Sequence, residues 1–228
     1  MDYQKWTAGV RSFSEALREL PGEIDVTVEI DLQLPDSEIV AIQEKWPGGL
    51  PDALRLLWTN GSARINCPYV WAPPPNELSL LNQIFEHNNY IYGGVRFEAA
   101  GKIYPGNFGA DPNDDLMRQT VGNEGLALWC NCAVFLYIGN GDCLGLDPNR
   151  CPDDPAVVYL VHDDAESGYI AGSFTSFLAA WTKLSFIGPE FWLLDYWHDP
   201  DSESIDPAKH MTSELRTLLS PRENVTRA

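Results

Sequence analysis

Three groups of residues in this chain have types and spacings that could do chemistry. Cys130 and Cys132 stand two apart, and Cys143 and Cys151 follow. A structural zinc site takes a Cys-x-x-Cys knuckle and a second ligand pair at matching spacing. Cys-x-Cys on one strand face with scattered partners does not supply that, so the cysteines read as small buried apolar residues. His162-Asp163-Asp164 has the composition of a metal-dependent phosphohydrolase fragment. Such a centre needs further His and Asp ligands, and His87, His198 and His210 carry no matching motif. The triplet reads better as a strand end turning into an acidic loop. Asp199, Asp201, Glu203 and Asp206 are spaced somewhat like a calcium loop. They lack its central glycine and its closing glutamate. No Gly-x-Ser-x-Gly elbow or phosphate-binding Gly-Lys-Ser/Thr loop is present. Carboxylates are so frequent that close pairs arise by chance, and none stands out as a general acid. The expectation is a protein without catalytic residues, metal or cofactor.

The charge is more informative. The chain has 228 residues with 33 Asp and Glu against 15 Lys and Arg, a formal net charge of −18. Such a field repels phosphate backbones and anionic membrane surfaces, so neither nucleic acid nor membrane is an expected partner. It draws basic proteins and speeds their association. The acids concentrate. Over residues 119–182 there are eight, Glu124, Asp142, Asp147, Asp153, Asp154, Asp163, Asp164 and Glu166, against one base, Arg150. Most fall in turns between apolar runs, where several could line one edge of a sheet. They read either as solvated turns or as a binding face for a basic protein.

The elements that must position them follow from periodicity. Trp6, Val10, Phe13, Leu17 and Leu20 form one helix face, ended by Pro21-Gly22. Ile24, Val26, Val28, Ile30, Leu32 and Leu34 alternate with polar residues, which predicts a half-buried strand with an acidic outer face. Asp36 is a candidate cap for a helix carrying Ile39, Ile42 and Trp46. Leu50-Pro51 opens a short helix with Leu54, Leu57 and Trp58, and Asn60-Gly61 supplies a left-handed exit. Asn76 is a candidate cap for Leu78, Leu81 and Phe85. A strand is predicted over 90–97, a loop over 106–115 and a long buried strand over 126–138. Short strands follow over 143–146 and 156–161. Ser173 caps a helix whose Phe174, Phe177, Leu178 and Trp181 share a face. The aromatic run 186–197 is dense enough to pack on the core, 199–206 reads as an acidic loop, and Met211, Leu215, Leu218 and Leu219 mark a last helix. Helices and strands come in groups, so the class is α+β.

The N-terminus has no charged-then-apolar leader pattern, and the longest apolar stretch is too short to span a bilayer. Five cysteines do not form an even disulfide framework. A cytoplasmic chain with reduced thiols is the expectation.

Two stretches together resemble the SUKH superfamily, the group of bacterial toxin-immunity proteins that also includes fungal cell-wall assembly and killer-toxin-resistance regulators. Leu50, Pro51, Leu54, Asn60 and Gly61 are similar to the family's opening segment. Gly141-Asp142, Leu146-Asp147, the 157–159 strand, His162-Asp163, and Ser173, Phe174, Phe177 and Leu178 are similar to its strand, turn, strand and covering helix. The resemblance implies one compact α+β domain over residues 34–183, a mostly antiparallel sheet with helices packed on it. Residues 1–33 would add a helix and strand, and 184–228 an aromatic segment and helix packed on the core. It also implies a non-catalytic cytoplasmic antidote to a cognate toxin domain. The charge suggests a basic toxin, such as a nuclease whose groove the antidote fills as a phosphate mimic. Asp142, Asp147, Asp153, Asp154, Asp163, Asp164 and Glu166 are the candidate partner contacts. An intracellular scaffold or regulatory module, like the fungal members, is the alternative reading. An enzyme with an unrecognised carboxylate or metal site is the third.

Overall fold

The computed structural model describes residues 1–86 and 88–220. His87, a candidate ligand by residue type, and residues 221–228 of the C-terminal segment lie outside the described residues.

Asp2 accepts a hydrogen bond from the Lys5 N–H at 2.9 Å and so caps α1, Tyr3–Leu17. Trp6, Val10 and Leu17 are buried on its inner face, and Leu20 just beyond it. The alternating run that follows forms two short strands rather than one, β1 (Glu23–Val26) and β2 (Glu29–Ile30). Both pair antiparallel with β3 (Ile65–Ala72), and the register carries on from one to the other: Glu23 faces Ala72 and Glu29 faces Asn66. The break between them originates in the partner strand. Thr27 donates to the Pro68 carbonyl at 3.1 Å, and proline has no N–H to donate in return. Leu32, expected inside, is exposed beyond the end of β2.

In α2 (Asp36–Gln43) the N-cap is Pro35, and Asp36 sits in the first turn, where its charge suits the helix dipole but caps nothing. Leu54 is buried in α3 (Asp52–Leu56), which leads into a π-helical turn, Leu57–Gly61. This corrects the expected left-handed exit. A Cβ on Gly61 would lie 2.8 Å from Thr7 Oγ1 and 3.3 Å from the Tyr3 carbonyl oxygen. The glycine is needed for the close approach of α1, not for a positive φ. Pro74 and Pro75, rather than Asn76, open α4 (Pro75–Ile84). Next, β4 (Ile91–Phe97) pairs with β3. The outer edge of β4 is covered: Gly94 donates to the Phe186 carbonyl at 2.7 Å and Gly188 to the Tyr92 carbonyl at 3.0 Å.

Asp114 caps α5 (Asp115–Asn131), accepting from the Met117 N–H at 2.9 Å. The strand expected over 126–138 is therefore wrong in its first half. Leu126 and Trp129 are buried on the last turns of a helix, and only β5 (Ala133–Tyr137) is strand. Cys130 thus lies on the helix and Cys132 ends it, so they share no strand face. With β6 (Cys143–Asp147), β7 (Ala156–Leu160) and β8 (Gly168–Ala171), β5 forms an antiparallel meander in chain order. The strand β8 was unforeseen, because four residues of mixed character show no period.

Ser173 caps α6 (Phe174–Lys183) through a reciprocal pair with Ser176. The helix buries Phe174, Phe177, Leu178 and Trp181. The chain continues through α7 (Phe191–Leu194), a hairpin of β9 (His198–Asp199) and β10 (Ser204–Ile205), and α8 (Thr212–Leu218). The hairpin occupies part of the expected acidic loop. One cluster of buried side chains runs from Tyr3 through both four-stranded sheets to Leu219, and a smaller one joins α5 to the meander. The molecule is an α+β domain with antiparallel sheets and helices packed on them.

Candidate functional site

A meander places successive turns at alternate ends of its sheet. The candidate acids accordingly divide into two groups at opposite ends of β6, rather than lining one edge. Asp142, Asp163, Asp164 and Glu166 lie at the end formed by the β5–β6 and β7–β8 turns. Asp147, Asp153 and Asp154 lie at the other, around the β6–β7 turn.

At the first end Asp142 is buried, with 6% of its surface exposed. Its carboxylate accepts from the Tyr159 hydroxyl (3.0 Å), the Asn140 amide (2.7 Å) and the His162 backbone N–H (3.1 Å). The His162 ring Nδ1 lies 2.8 Å from the same carboxylate. Burial by itself would raise the Asp142 pKa. The hydrogen bonds from His162, Asn140 and Tyr159 outweigh it, and the carboxyl is held below its usual range. Tyr159 in turn accepts from the Phe191 N–H at 3.0 Å. Asp142 therefore ties the β5–β6 turn to β7 and, through Tyr159, to the start of α7. Asp163, Asp164 and Glu166 are exposed around this tie.

Asp142, His162 and Asp163 each offer one ligand atom, all within 4.8 Å of one another. Three ligands could begin a cation site, but the Asp142 oxygens are already engaged by Tyr159, Asn140 and His162. An ion would have to displace those donors, so the arrangement works as a turn staple. Among the described residues, no candidate ligand group includes a cysteine. Cys67, Cys132 and Cys143 are buried, and burial pushes all three thiols up, Cys143 to about 12.

At the second end Asp147 is also 6% exposed. It accepts from the Asn149 N–H (3.0 Å) and from the Tyr169 hydroxyl (2.8 Å). Burial, followed by this bond to Asp147, lifts the Tyr169 hydroxyl to about 12. Arg150, the only base in the acidic region, lies over the Tyr169 ring at 4.2 Å and pairs with Glu203 at 2.6 Å. Asp154 accepts from the Thr175 N–H at 2.9 Å, which supports the first turn of α6. The backbone carbonyl of Asp153 accepts from the Ala53 N–H at 2.9 Å, fixing this turn to α3, while its side chain is exposed. Beside the turn is a hollow of about 310 Å³, walled by Trp46, Pro47, Pro105, Pro148 and Pro152.

The candidate contacts thus separate by burial. Asp153, Asp163, Asp164 and Glu166 are exposed, Asp154 is half-buried, and Asp142 and Asp147 are inner supports. The motif residues Leu50, Pro51, Leu54, Gly61, Ser173, Phe174 and Phe177 shape helices and turns around the core, and Asn60 is the exposed member. Sequence reading missed the roles of Tyr159, Tyr169 and Asn140. Only the Asn-Gly-Asp turn gave a local sign of one of them.

A comparison with protein families matches residues 33–180 to the SMI1 / KNR4 family (SUKH-1). No curated protein and no solved structure matches the chain.

Proposed function

We propose that this chain, which belongs to the SMI1 / KNR4 family (SUKH-1), is the immunity protein of a bacterial toxin system. It acts in the cytoplasm by binding a cognate toxin domain and has no catalytic step of its own. The observation that carries this reading is the exposed acid of the meander turns: Asp163, Asp164 and Glu166 together at one end of the sheet, with Asp153 at the other. An acidic surface of this kind is complementary to a basic groove, and steering raises the encounter rate. The toxin is accordingly a basic domain, and a nuclease groove fits that description. No helix among the described residues is long and apolar enough to cross a membrane.

The test is co-expression with the toxin domain encoded beside the gene. Protection of the host and co-purification at low salt are expected. Asp163→Asn/Asp164→Asn/Glu166→Gln should weaken binding by about tenfold or more while the protein stays folded. Killing that continues, with no co-purification, would end the proposal for that pair.

A further inference from the structure

The first sheet has one covered edge and one open edge. Residues 186–188 cover β4. On the other side, the β1–β2 register directs the backbone groups of Asp25, Thr27 and Glu29 toward β3 and those of Ile24, Val26, Val28 and Ile30 outward. Among the described residues, no hydrogen bond reaches these outward groups. Native edges are guarded by proline, a bulge, short strands or charged side chains. Here the guards are the shortness of β1 and β2 and the acids Glu23, Asp25 and Glu29, a charge that a basic strand would meet as complementary. Residues 23–30 contain no proline and no lysine, and their pairing with β3 runs without a bulge.

The open face beside this edge is acidic where it adjoins β1. Glu23 and Asp25 project there and are exposed, and neither has a salt bridge among the described residues. The bases on the face are already matched. Arg64 lies 3.6 Å from Glu29, and Arg96 lies 3.7 Å from Glu190. Next to Glu23 and Asp25 is a hollow of about 400 Å³ floored by Val70 and Ala72 and bounded by Tyr90. Val70 and Tyr90 are 46% and 54% exposed. The Tyr90 and Tyr92 rings lie 6.0 Å apart on this side. Acids beside apolar and aromatic surface suit a cationic side chain with an aliphatic stem.

We propose that the β1–β2 edge adds an extended, basic segment of a partner protein as a further strand. Its main chain would pair with Ile24, Val26 and Val28, and its alternate side chains, arginine or lysine, would stand beside Glu23 and Asp25. This surface belongs to the first sheet and does not depend on the acidic turns of the meander. Failure of either reading leaves the other intact.

The test uses the full chain and a blocked peptide, Arg-Val-Arg-Val-Arg, with Glu-Val-Glu-Val-Glu as control. Amide exchange is followed by NMR at physiological salt. The expected result is that the Ile24, Val26 and Val28 amides slow at least about tenfold with the basic peptide only. Glu23→Gln/Asp25→Asn should weaken the peptide about tenfold, and Asp163→Asn/Asp164→Asn/Glu166→Gln by less than about twofold. Four results would overturn the proposal. These are no binding, binding that leaves the edge amides unprotected, an equal loss in the meander variant, or protection that grows with protein concentration alone. The last would assign the edge to a second copy of the chain.

Discussion

At the residue scale, Asp142 shows how a carboxylate in an acidic protein can belong to the interior. It accepts hydrogen bonds from the buried Tyr159 hydroxyl and from the His162 backbone N–H. Asp142→Asn keeps the shape but, in either orientation of the amide, sets an NH₂ group against donors: the Tyr159 hydroxyl and Asn140 amide on one side, or the His162 N–H on the other. Equilibrium denaturation at pH 7 should show a loss of about 1–3 kcal/mol. The folded pKa is lowered, so the stabilisation is present above the unfolded value and is lost as pH falls through the folded one. The gap between wild type and variant should therefore hold steady above about pH 5 and close in more acid solution. A gap that widens in acid would contradict the assignment. In the sequence, Asp142 is one more acid in a turn. Its partners Tyr159 and His162 lie on another strand and in another turn, which no local pattern reveals.

At the element scale, strand pairing depends on residues that remove or permit backbone groups. Pro68 splits the neighbouring strand in two, and Gly94 bends β4 beside it with φ +98°. A Cβ on Gly94 would overlap the Cys67 carbonyl oxygen. Gly94→Ala should cost at least about 2 kcal/mol in denaturant unfolding, since both the conformation and the space exclude a side chain. Gly49 also has positive φ, but a Cβ there would meet nothing within 4 Å, so Gly49→Ala is the milder control. A loss at Gly94 no larger than at Gly49 would show that the bend is not needed. Periodicity made α1, α6, β4 and β7 legible, because each buries one face or one run against the core. It misread 126–138, where an apolar helix end runs into an apolar strand. Composition alone cannot separate the two, and the boundary is set by Leu126 and Trp129 packing against the meander.

At the scale of the molecule, the C-terminal segment completes the core. Trp181 donates to the Ile187 carbonyl at 2.7 Å, and Phe186 packs edge-on against Trp6 and Phe13. Deleting residues 184–228 should abolish the cooperative thermal transition and raise binding of a hydrophobic dye. A truncated chain that still melts cooperatively near the full-length midpoint would mark the segment as a separable extension.

The class, the family resemblance, the covering helix behind Ser173 and the excess of acid in one region were all legible along the chain. They depend on composition, short-range periodicity and local capping, which need no knowledge of distant contacts. Which acids face solvent and which support the fold was settled by tertiary packing alone. The alternating turns of the meander separated Asp147, Asp153 and Asp154 from Asp163, Asp164 and Glu166. Burial against Tyr159 and Tyr169 drew Asp142 and Asp147 inside. Charge can be counted in one dimension, but its accessibility depends on contacts between residues far apart in the chain.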